Sequence, residues 1–284
     1  MRADMDRDLS GRLVVITGAN TGIGRSTAKA IAARGATLVL ACRSEEKTRP
    51  VLDAIRAAQG DARFEALDLG DLASTRACAA RIGATGRPID VLLNNAGMAG
   101  KRGLTKDGFE VTFGVNHLGP FLLTVLLAPN LVKARGRIVN VSSKGHYRAP
   151  GIDFDVLRKP TRSRTGLREY AVSKLANVLF TKELARRVGP RGVHSYALHP
   201  GVVASDAWRS VPWPVRSLIK LFMISPEQGA RTSVYCATSP EVAAHDGRYY
   251  DDCLEKEPNP VANDAELAKR LWDTSVELTG ADLV

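Results

Sequence analysis

Patterns of metal ligands and disulfide cysteines are absent from this 284-residue sequence. Its four cysteines form no C-x-x-C pair, which argues against a zinc site and against a disulfide framework. Its five histidines include no i,i+4 pair, so we expect no metal and interpret them as structural, with His146 a candidate for the substrate entrance. Residues 1–13 are charged where a signal peptide is apolar, and we therefore expect a cytoplasmic protein.

One long stretch, residues 111–132, has no Asp, Glu, Lys or Arg and has the length of a membrane span. Polar residues and prolines interrupt it, namely Asn116, His117, Pro120, Pro129 and Asn130. A stretch of this kind is typical of a helix buried in a protein core. We therefore predict no transmembrane segment.

Positive charge is concentrated in one part of the sequence. The formal net charge is +10, and residues 133–191 hold 15 Lys and Arg against 4 Asp and Glu. No aromatic interleaving or reader motif accompanies this charge, so we expect no nucleic-acid partner. For the basic segment 158–168 within it, the interpretations that stay open are attraction of an acidic substrate, attraction of cofactor phosphates, and a solvated basic surface.

Short apolar runs alternate with helical patterns along the chain. We predict strands near residues 12–17, 37–42, 62–67, 89–93, 136–142 and 193–198. Helices are predicted from the first glycine turn to Arg34 and near residues 48–59, 71–82, 108–134, 166–188 and 226–238. Nearly continuous apolar strands that alternate with helices form parallel sheets. We therefore predict a doubly wound α/β Rossmann fold in a single domain, residues 1–284, with about seven parallel strands and helices on both faces.

Two helix starts carry local sequence signals. Thr48 is a candidate N-cap, with Pro50 in the first turn of the helix that follows. The run Ser225-Pro226-Glu227-Gln228 is a capping-box sequence with proline at the first helical position. We therefore expect one helix to begin close to each of these residues.

A glycine-rich turn lies between the first predicted strand and the first predicted helix. The run from Thr17 to Gly24 (TGANTGIG) lets the backbone approach a pyrophosphate, whose charge the helix N-terminus favours. The predicted contacts are Gly18, Asn20, Thr21, Gly22, Ile23 and Gly24. At the end of the second strand, where an NAD site has an acid, this chain has Arg43. Because no carboxylate repels a 2′-phosphate there, we predict NADP(H) as the cofactor.

Together with other motifs in order along the chain, this turn resembles the short-chain dehydrogenase/reductase family. The other motifs are Asp68-Leu69, Asn94-Asn95-Ala96-Gly97, Asn116, Ser142-Ser143, Tyr170 with Lys174, and Pro200-Gly201. Within the family, the segments TGANTGIGRSTA, VNHLGPFLLT, SKLANVLFTKELARR and YALHPGVV are similar to the retinol dehydrogenase branch. The resemblance covers nearly all of the sequence and implies a carbonyl reductase or alcohol dehydrogenase.

The resemblance implies a catalytic set of Asn116, Ser143, Tyr170 and Lys174. Tyr170 and Lys174 are four residues apart on a predicted helix and therefore share one face. A nearby ammonium and a ribose hydroxyl would bring the pKa of the phenol from about 10 to about 7, so that Tyr170 exchanges a proton with the substrate oxygen. Ser143 is expected to hydrogen-bond that oxygen. Asn116 is expected to hold a water in a relay ending at Lys174, or else to be a satisfied core amide.

The resemblance also implies cofactor contacts outside the glycine turn. Asp68 is expected at the adenine, Asn95 and Ala96 beside the adenosine ribose, and Val203 at the nicotinamide carboxamide. The complete set outside the turn is Arg43, Asp68, Leu69, Asn95, Ala96, Gly97, Tyr170, Lys174, Pro200, Gly201, Val203 and Ser205.

From these residues we predict an NADP(H)-dependent oxidoreductase that interconverts a carbonyl and an alcohol on a lipophilic small molecule. One alternative is a non-catalytic NADP(H)-binding sensor or scaffold. Another is a ketoreductase of polyketide- or steroid-like substrates rather than a retinoid enzyme. Residues 204–224 mix tryptophan and other apolar residues with arginine and lysine, which suits a substrate lid or peripheral membrane contact. The resemblance also allows a homo-oligomer.

Overall fold

The computed structural model describes residues 9–201 and 224–283. In this part of the chain the strands are β1 (Leu13–Thr17), β2 (Thr37–Cys42), β3 (Asp61–Ala66), β4 (Val91–Asn94), β5 (Arg137–Val141), β6 (His194–His199), β7 (Arg248–Asp251) and β8 (Leu254–Lys256). The α-helices are α1 (Gly22–Ala32), α2 (Glu45–Ala57), α3 (Leu72–Gly83), α4 (Val111–Ala134), α5 (Leu167–Val188), α6 (Pro226–Thr238) and α7 (Ala265–Thr279).

The strands form one sheet in the order β3-β2-β1-β4-β5-β6-β7-β8. The first seven are parallel, and β8 pairs with β7 in the antiparallel direction. A parallel sheet is covered on both faces, and β1 is accordingly apolar and buried along its whole length. The predicted Rossmann fold with seven parallel strands is confirmed. The seventh strand, β7, was counted but not located in the sequence, and the additional strand β8 was not predicted, because its three residues are all exposed and carry no apolar run.

The structure confirms one of the two predicted helix starts and corrects the other. At α6, Ser225 Oγ accepts from Gln228 N at 3.2 Å, and Gln228 Oε1 accepts from Ser225 N at 2.9 Å, which completes the capping box. The prediction of a Thr48 cap is wrong, because Ser44 caps α2 and Thr48 is a buried residue inside it. Pro50 lies in the second turn of α2 rather than in the first, so its presence did not mark the helix start.

Helix α4 is the uncharged stretch of the sequence. Among the residues that the structure describes, it is the one helix long and apolar enough to cross a membrane, and 83% of its most apolar window is buried inside the protein. The prediction of a buried core helix is therefore confirmed. A π-helical turn over Gly114–Leu118 interrupts α4 and carries Asn116. Such turns occur frequently at functional sites.

Helix α7, which was not predicted, packs against α4 and α5. Asp264 caps it by accepting a hydrogen bond from a first-turn amide at 2.9 Å. The Trp272 ring lies 5.0 Å from the Phe121 ring and 5.9 Å from the Phe180 ring, measured between centroids. The guanidinium of Arg187 stacks over Trp272 at 4.4 Å. The C-terminal part of the chain therefore closes an aromatic cluster between these helices.

His117 of α4 is buried in this aromatic cluster as a neutral imidazole. Ser275 donates its hydroxyl hydrogen to Leu271 O at 2.7 Å, so His117 Nε2 is the donor in its 2.9 Å contact with Ser275 Oγ. Its Nδ1 has no hydrogen-bond partner among the described residues. Burial without a countercharge lowers the pKa of His117 to about 3.

We expect His117 to make the protein less stable in acid. Below pH 6.5 the unfolded chain binds a proton at this histidine and the folded protein does not, so stability present at neutral pH is lost as pH falls toward 3. At pH 5 the loss from this one group is about 2 kcal/mol. Between pH 8 and pH 5 in urea denaturation, His117→Asn should lose about 2 kcal/mol less stability than wild type. His245→Gln, at an exposed site, is the control, and equal losses in wild type and His117→Asn would contradict this assignment.

Candidate active site

The carboxyl ends of the parallel strands meet at one edge of the sheet, and the strand order reverses there between β1 and β4. The glycine turn follows β1 at this edge, and Gly18 has a φ of +68°, in the left-handed region. A Cβ on Gly18 would lie 2.9 Å from Ala96, and a Cβ on Gly24 would lie 2.4 Å from the Gly18 carbonyl oxygen. Only glycine fits at both positions.

Thr17 and Asn95 join this turn to the end of β4. The Thr17 hydroxyl oxygen accepts from Asn95 N at 3.0 Å and from Ala96 N at 2.9 Å. The Asn95 side-chain amide donates to the carbonyl oxygens of Thr17 at 2.8 Å and Gly18 at 3.2 Å. Asn95 therefore uses both side-chain donors on the glycine turn and fixes its shape.

The N-terminus of α1 is open toward the same edge. Thr21 is its N-cap but makes no side-chain cap hydrogen bond, and the first turn holds no acidic residue. Such a terminus presents unpaired amide donors and the positive end of the helix dipole to an anion. Arg43, directly after β2, is exposed and has neither an ion pair nor a hydrogen bond with another described residue. The charges present therefore fit a phosphorylated ligand.

Ser142 and Ser143 follow β5 and point in different directions. Ser142 is buried, and its hydroxyl donates to Lys174 O at 2.7 Å. Ser143 is half-buried, and its Oγ accepts from Gly145 N at 3.1 Å. A Cβ on Gly145 would lie 3.1 Å from Tyr170 Cε1 and 3.4 Å from Ser143 Oγ. The Ser143 hydroxyl and the Tyr170 ring therefore border the same small space.

Tyr170 and Lys174 lie on one face of α5. Lys174 Nζ is 5.7 Å from the centroid of the Tyr170 ring and donates to Val141 O at 2.8 Å. Burial lowers the pKa of Lys174 to about 8. Burial also raises the pKa of the Tyr170 phenol above its ordinary value of 10, against the opposing effect of the Ser143 hydroxyl. The low phenol pKa expected from the sequence counted the ammonium and a cofactor ribose hydroxyl and left out burial, and the protein alone does not show it.

Asn116 is held in the π-helical turn of α4 by three hydrogen bonds. Its Oδ1 accepts from Met98 N at 2.8 Å, and its Nδ2 donates to Met98 O at 2.9 Å and to Ser173 Oγ at 3.0 Å. One lone pair of Oδ1 is left for a further donor. A Cβ on Gly97 would lie 3.2 Å from Asn116 Oδ1 and 3.3 Å from Lys174 Nζ. Asn116 is therefore a satisfied buried amide that lies beside the Lys174 ammonium.

The other predicted cofactor contacts reach the same edge where the structure describes them. Asp68 is half-buried after β3, and its Oδ1 accepts a nearby backbone amide at 2.9 Å. Leu69 is only 6% exposed, so its side chain belongs to the core rather than to a ligand site. Pro200 and Gly201 directly follow β6 and are half-buried. Outside the described residues lie Val203, Ser205 and the predicted lid as far as residue 223.

Two residues of this region, Thr17 and Ser173, were not predicted from the sequence, and a third, His146, lies elsewhere than predicted. Thr17 was not recognised as the acceptor that joins β1 to β4. Ser173 accepts from Asn116 and donates to Tyr170 O at 2.8 Å. The interpretation of His146 as part of the substrate entrance is wrong, because its side chain is fully buried. The sequence gave no signal for Thr17 or for the Ser173–Asn116 hydrogen bond, since these partners lie 57 or more residues apart.

The basic segment 158–168 leads into the helix that carries Tyr170, and its residues 161–166 approach the loop that follows β4. Arg162 and Arg168 line a cavity of about 600 Å³ together with Val172 of α5. Val172 is two residues from Tyr170 and therefore on the opposite face of the helix. Arg158 stacks over a buried phenylalanine ring at 4.6 Å. Arg162 and Arg168 therefore lie on the side of α5 opposite Tyr170, which favours a basic surface for these two residues.

Solved structures of other proteins share this fold. An uncharacterized protein from Mycobacterium paratuberculosis is 35% identical, with a TM-score of 0.79 over 98% of this chain and 96% of that chain. A protein from Beutenbergia cavernae, named as an NAD(P) dependent gluconate 5-dehydrogenase with NADP bound at low occupancy, is 28% identical. Its TM-score is 0.71 over 86% of this chain and 96% of that chain.

Sequence comparison extends this similarity to named relatives. Human retinol dehydrogenase 13 is 43% identical over 286 residues, which cover 96% of this chain and 86% of that protein. Human retinol dehydrogenase 11 is 44% identical over 279 residues, which cover 96% of this chain and 87% of that protein. The sequence profile described as short chain dehydrogenase matches residues 12–153. The glycine turn and the helix that carries Tyr170 and Lys174 meet at this edge of the sheet. The chain thus belongs to the short-chain dehydrogenase family and is similar to its retinol dehydrogenases.

Proposed function

We propose that this protein is an NADP(H)-dependent oxidoreductase that interconverts a carbonyl and an alcohol on a lipophilic small molecule. Membership of the family makes it an oxidoreductase that acts on alcohols with a nicotinamide cofactor. The proposal depends above all on one observation. The Ser143 hydroxyl and the Tyr170 ring both border Gly145, and the Lys174 ammonium lies 5.7 Å from the centroid of that ring. A protein that only binds a dinucleotide needs no such group, so we favour catalysis over a non-catalytic sensor.

The residues at the sheet edge fit a dinucleotide. Gly18 and Gly24 let the glycine turn pack closely against Ala96 and Asn95, and the uncapped first turn of α1 offers amide donors to a pyrophosphate. Arg43 at the end of β2 suits a 2′-phosphate, to which a guanidinium can donate two hydrogen bonds. When the cofactor is bound, its nicotinamide ring supplies or accepts the hydride.

Tyr170 is the residue that we assign to proton transfer. Because burial raises its pKa, the phenol keeps its proton at neutral pH and can donate it to a carbonyl oxygen during reduction. The Ser143 oxygen accepts from Gly145 N, and the hydroxyl hydrogen is available to stabilise the same substrate oxygen. Lys174, with a pKa lowered to about 8, is mainly an ammonium at pH 7 and stabilises the phenolate that Tyr170 becomes.

We also propose that the chain works as one domain in the cytoplasm. One sheet contains strands from Leu13 to Lys256, which supports a single structural unit over most of the chain. The burial of α4 supports a role for this helix in the core. Sedimentation of the purified protein with anionic vesicles tests for peripheral membrane contact. Light scattering tests for the homo-oligomer that the resemblance allows.

The proposed activity is tested by following NADPH and NADH oxidation by the purified protein across a panel of carbonyl compounds. The panel contains all-trans-retinal, steroid ketones and aromatic ketones. We expect turnover of at least one lipophilic carbonyl, faster with NADPH than with NADH. Turnover of retinal would favour a retinoid substrate, and turnover confined to other ketones would favour a ketoreductase. Tight NADPH binding without turnover of any compound would favour the sensor.

Arg43 is expected to decide the preference between the two cofactors. We predict that Arg43→Asp raises the Kd for NADPH by about 10- to 100-fold, the range of one charge-assisted hydrogen bond, and leaves NADH binding nearly unchanged. Arg87→Asp makes the same charge change at an exposed residue before β4, at the other edge of the sheet, and is expected to change neither Kd. Equal losses for NADPH and NADH in Arg43→Asp would speak against a 2′-phosphate contact.

A further inference from the structure

The main-chain carbonyl of Ser143 accepts two hydrogen bonds from one residue. His146 N donates to it at 3.0 Å, and His146 Nδ1 lies 2.6 Å from it. The hydroxyl oxygen of Ser143 accepts from Gly145 N at 3.1 Å. The backbone and side chain of Ser143 are therefore both fixed by the two residues at the start of the next turn.

The hydrogen-bond partners of His146 determine its tautomer. Asn259 N lies 3.0 Å from His146 Nε2, and a backbone N–H can only donate, so Nε2 carries no hydrogen. His146 Nδ1 consequently carries the hydrogen and donates it to Ser143 O. The side chain is fully buried, and burial lowers its pKa, so the imidazole is neutral at physiological pH. A neutral ring in this one tautomer satisfies both partners.

Asn259 holds the His146 turn from the C-terminal part of the chain. Its side-chain amide donates to His146 O and to Ala149 O, both at 2.9 Å. The His146 ring lies 4.0 Å from the Tyr147 ring and 4.8 Å from the Tyr249 ring, measured between centroids. The imidazole is therefore held by two aromatic rings and, at both nitrogens, by hydrogen bonds.

We propose that His146, oriented by Asn259, is a positioning residue that holds the Ser143 hydroxyl in place for the substrate oxygen. The proposal rests on the proposed function, since it assumes that Ser143 acts on a carbonyl oxygen. His146 itself is buried and acts through the main chain of Ser143. One correctly placed donor to a developing oxyanion contributes about 100- to 1000-fold to kcat, so partial displacement of Ser143 costs a measurable part of that factor.

Two substitutions separate the hydrogen bond to Ser143 from the one to Asn259. The Nδ2 of His146→Asn occupies about the position of the histidine Nδ1 and retains a donor toward Ser143 O. The side-chain end of His146→Gln occupies about the position of Nε2 and retains an acceptor toward Asn259 N, but it has no donor near Ser143 O. We expect kcat to fall by about 10- to 100-fold in His146→Gln and by less than about 5-fold in His146→Asn, with the Kd for NADPH unchanged in both.

A double-mutant cycle tests whether this effect passes through Ser143. In a Ser143→Ala background, His146→Gln should lower kcat by less than about twofold further, because the hydroxyl that it positions is gone. His245→Gln is the matched control at an exposed histidine and should keep the wild-type kcat. Three outcomes would each overturn the proposal. They are an equal kcat in wild type and His146→Gln, additive losses of kcat in the double-mutant cycle, and losses of kcat in both His146 variants that follow only the folded fraction.

Hydrogen exchange supplies a readout that does not need catalysis. The Gly145 and His146 amides both donate to Ser143, so their exchange reports directly on this turn. We expect both amides to exchange at least about tenfold faster in His146→Gln than in His146→Asn. If the wild-type protein reduces no carbonyl, the proposed function fails while the exchange rates still test whether His146 holds Ser143. Equal exchange in the two variants contradicts the positioning role.

Discussion

Replacing Tyr170 with phenylalanine is expected to lower kcat for carbonyl reduction by about 1000-fold at pH 7, with the Kd for NADPH within about twofold of wild type. The substitution removes the phenolic hydroxyl and keeps the ring that packs against Gly145. It therefore removes the proton donor without opening a cavity. Steady-state reduction and fluorescence titration with NADPH measure the two quantities separately.

Tyr147→Phe is the matched control for this prediction. Tyr147 lies in the turn after Ser143, is 45% exposed, and donates its hydroxyl to the Glu257 carbonyl oxygen. Its loss should change kcat by less than about threefold, because phenylalanine keeps the ring that lies beside His146 and only a hydroxyl on a 45% exposed side chain is removed. If Tyr170→Phe retains more than one tenth of the wild-type kcat, another group donates the proton and our assignment of the general acid is wrong.

The two pKa shifts in the site suit different steps of the reaction. A raised phenol pKa keeps Tyr170 protonated until the carbonyl oxygen becomes basic. Lys174 has a pKa lowered to about 8, so its positive charge is gradually lost as pH rises through that value. The charge that we propose to stabilise the phenolate is thus present at neutral pH and absent at high pH. A cofactor ribose at this site would add the hydrogen bonds that the protein alone lacks.

Local patterns account for the parts of the fold that the sequence predicted. The apolar runs of β1 and β2 and the capping box at Ser225 are each formed by residues that are neighbours in the chain. Helix α2 was misplaced at its start because Thr48 and Ser44 are both acceptable caps, and only the structure shows which hydroxyl accepts the first-turn amide. Strand β8 escaped notice because an exposed edge strand needs no apolar face.

Contacts between distant residues account for what the sequence could not predict. His146 and Asn259 are 113 residues apart, and His117 and Ser275 are 158 residues apart. Neither spacing forms a pattern, so each histidine is indistinguishable from any other before the chain is folded. The catalytic candidates were accessible because the family motif marks their positions. The motif, however, gives no account of the groups that hold Ser143 or bury the phenol.

Gly24→Ala is expected to abolish tight cofactor binding and to destabilise the fold by about 2 to 4 kcal/mol. The new Cβ would lie 2.4 Å from Gly18 O and 2.5 Å from Asn95 Nδ2. Neither atom belongs to a flexible side-chain end free to move, because Asn95 Nδ2 is itself bonded to Thr17 O and Gly18 O. The glycine turn must therefore separate from the end of β4, and the amides that face a pyrophosphate move with it.

Gly83→Ala is the matched control, since the same substitution at this site is expected to raise stability and to leave cofactor binding unchanged. Gly83 ends α3, and a Cβ there would lie 3.7 Å from Asn130 Oδ1, an ordinary contact. Alanine should raise stability by about 0.5 to 1 kcal/mol at this helical position and leave the Kd for NADPH unchanged.

For Gly24→Ala we expect the Kd for NADPH to rise at least about 100-fold. A Gly24→Ala protein with wild-type stability and Kd would show that the close approach of α1 to β4 does not shape the cofactor site. Binding lost at unchanged stability would instead show that the Cβ meets the cofactor itself, with the Asn95 bonds still in place.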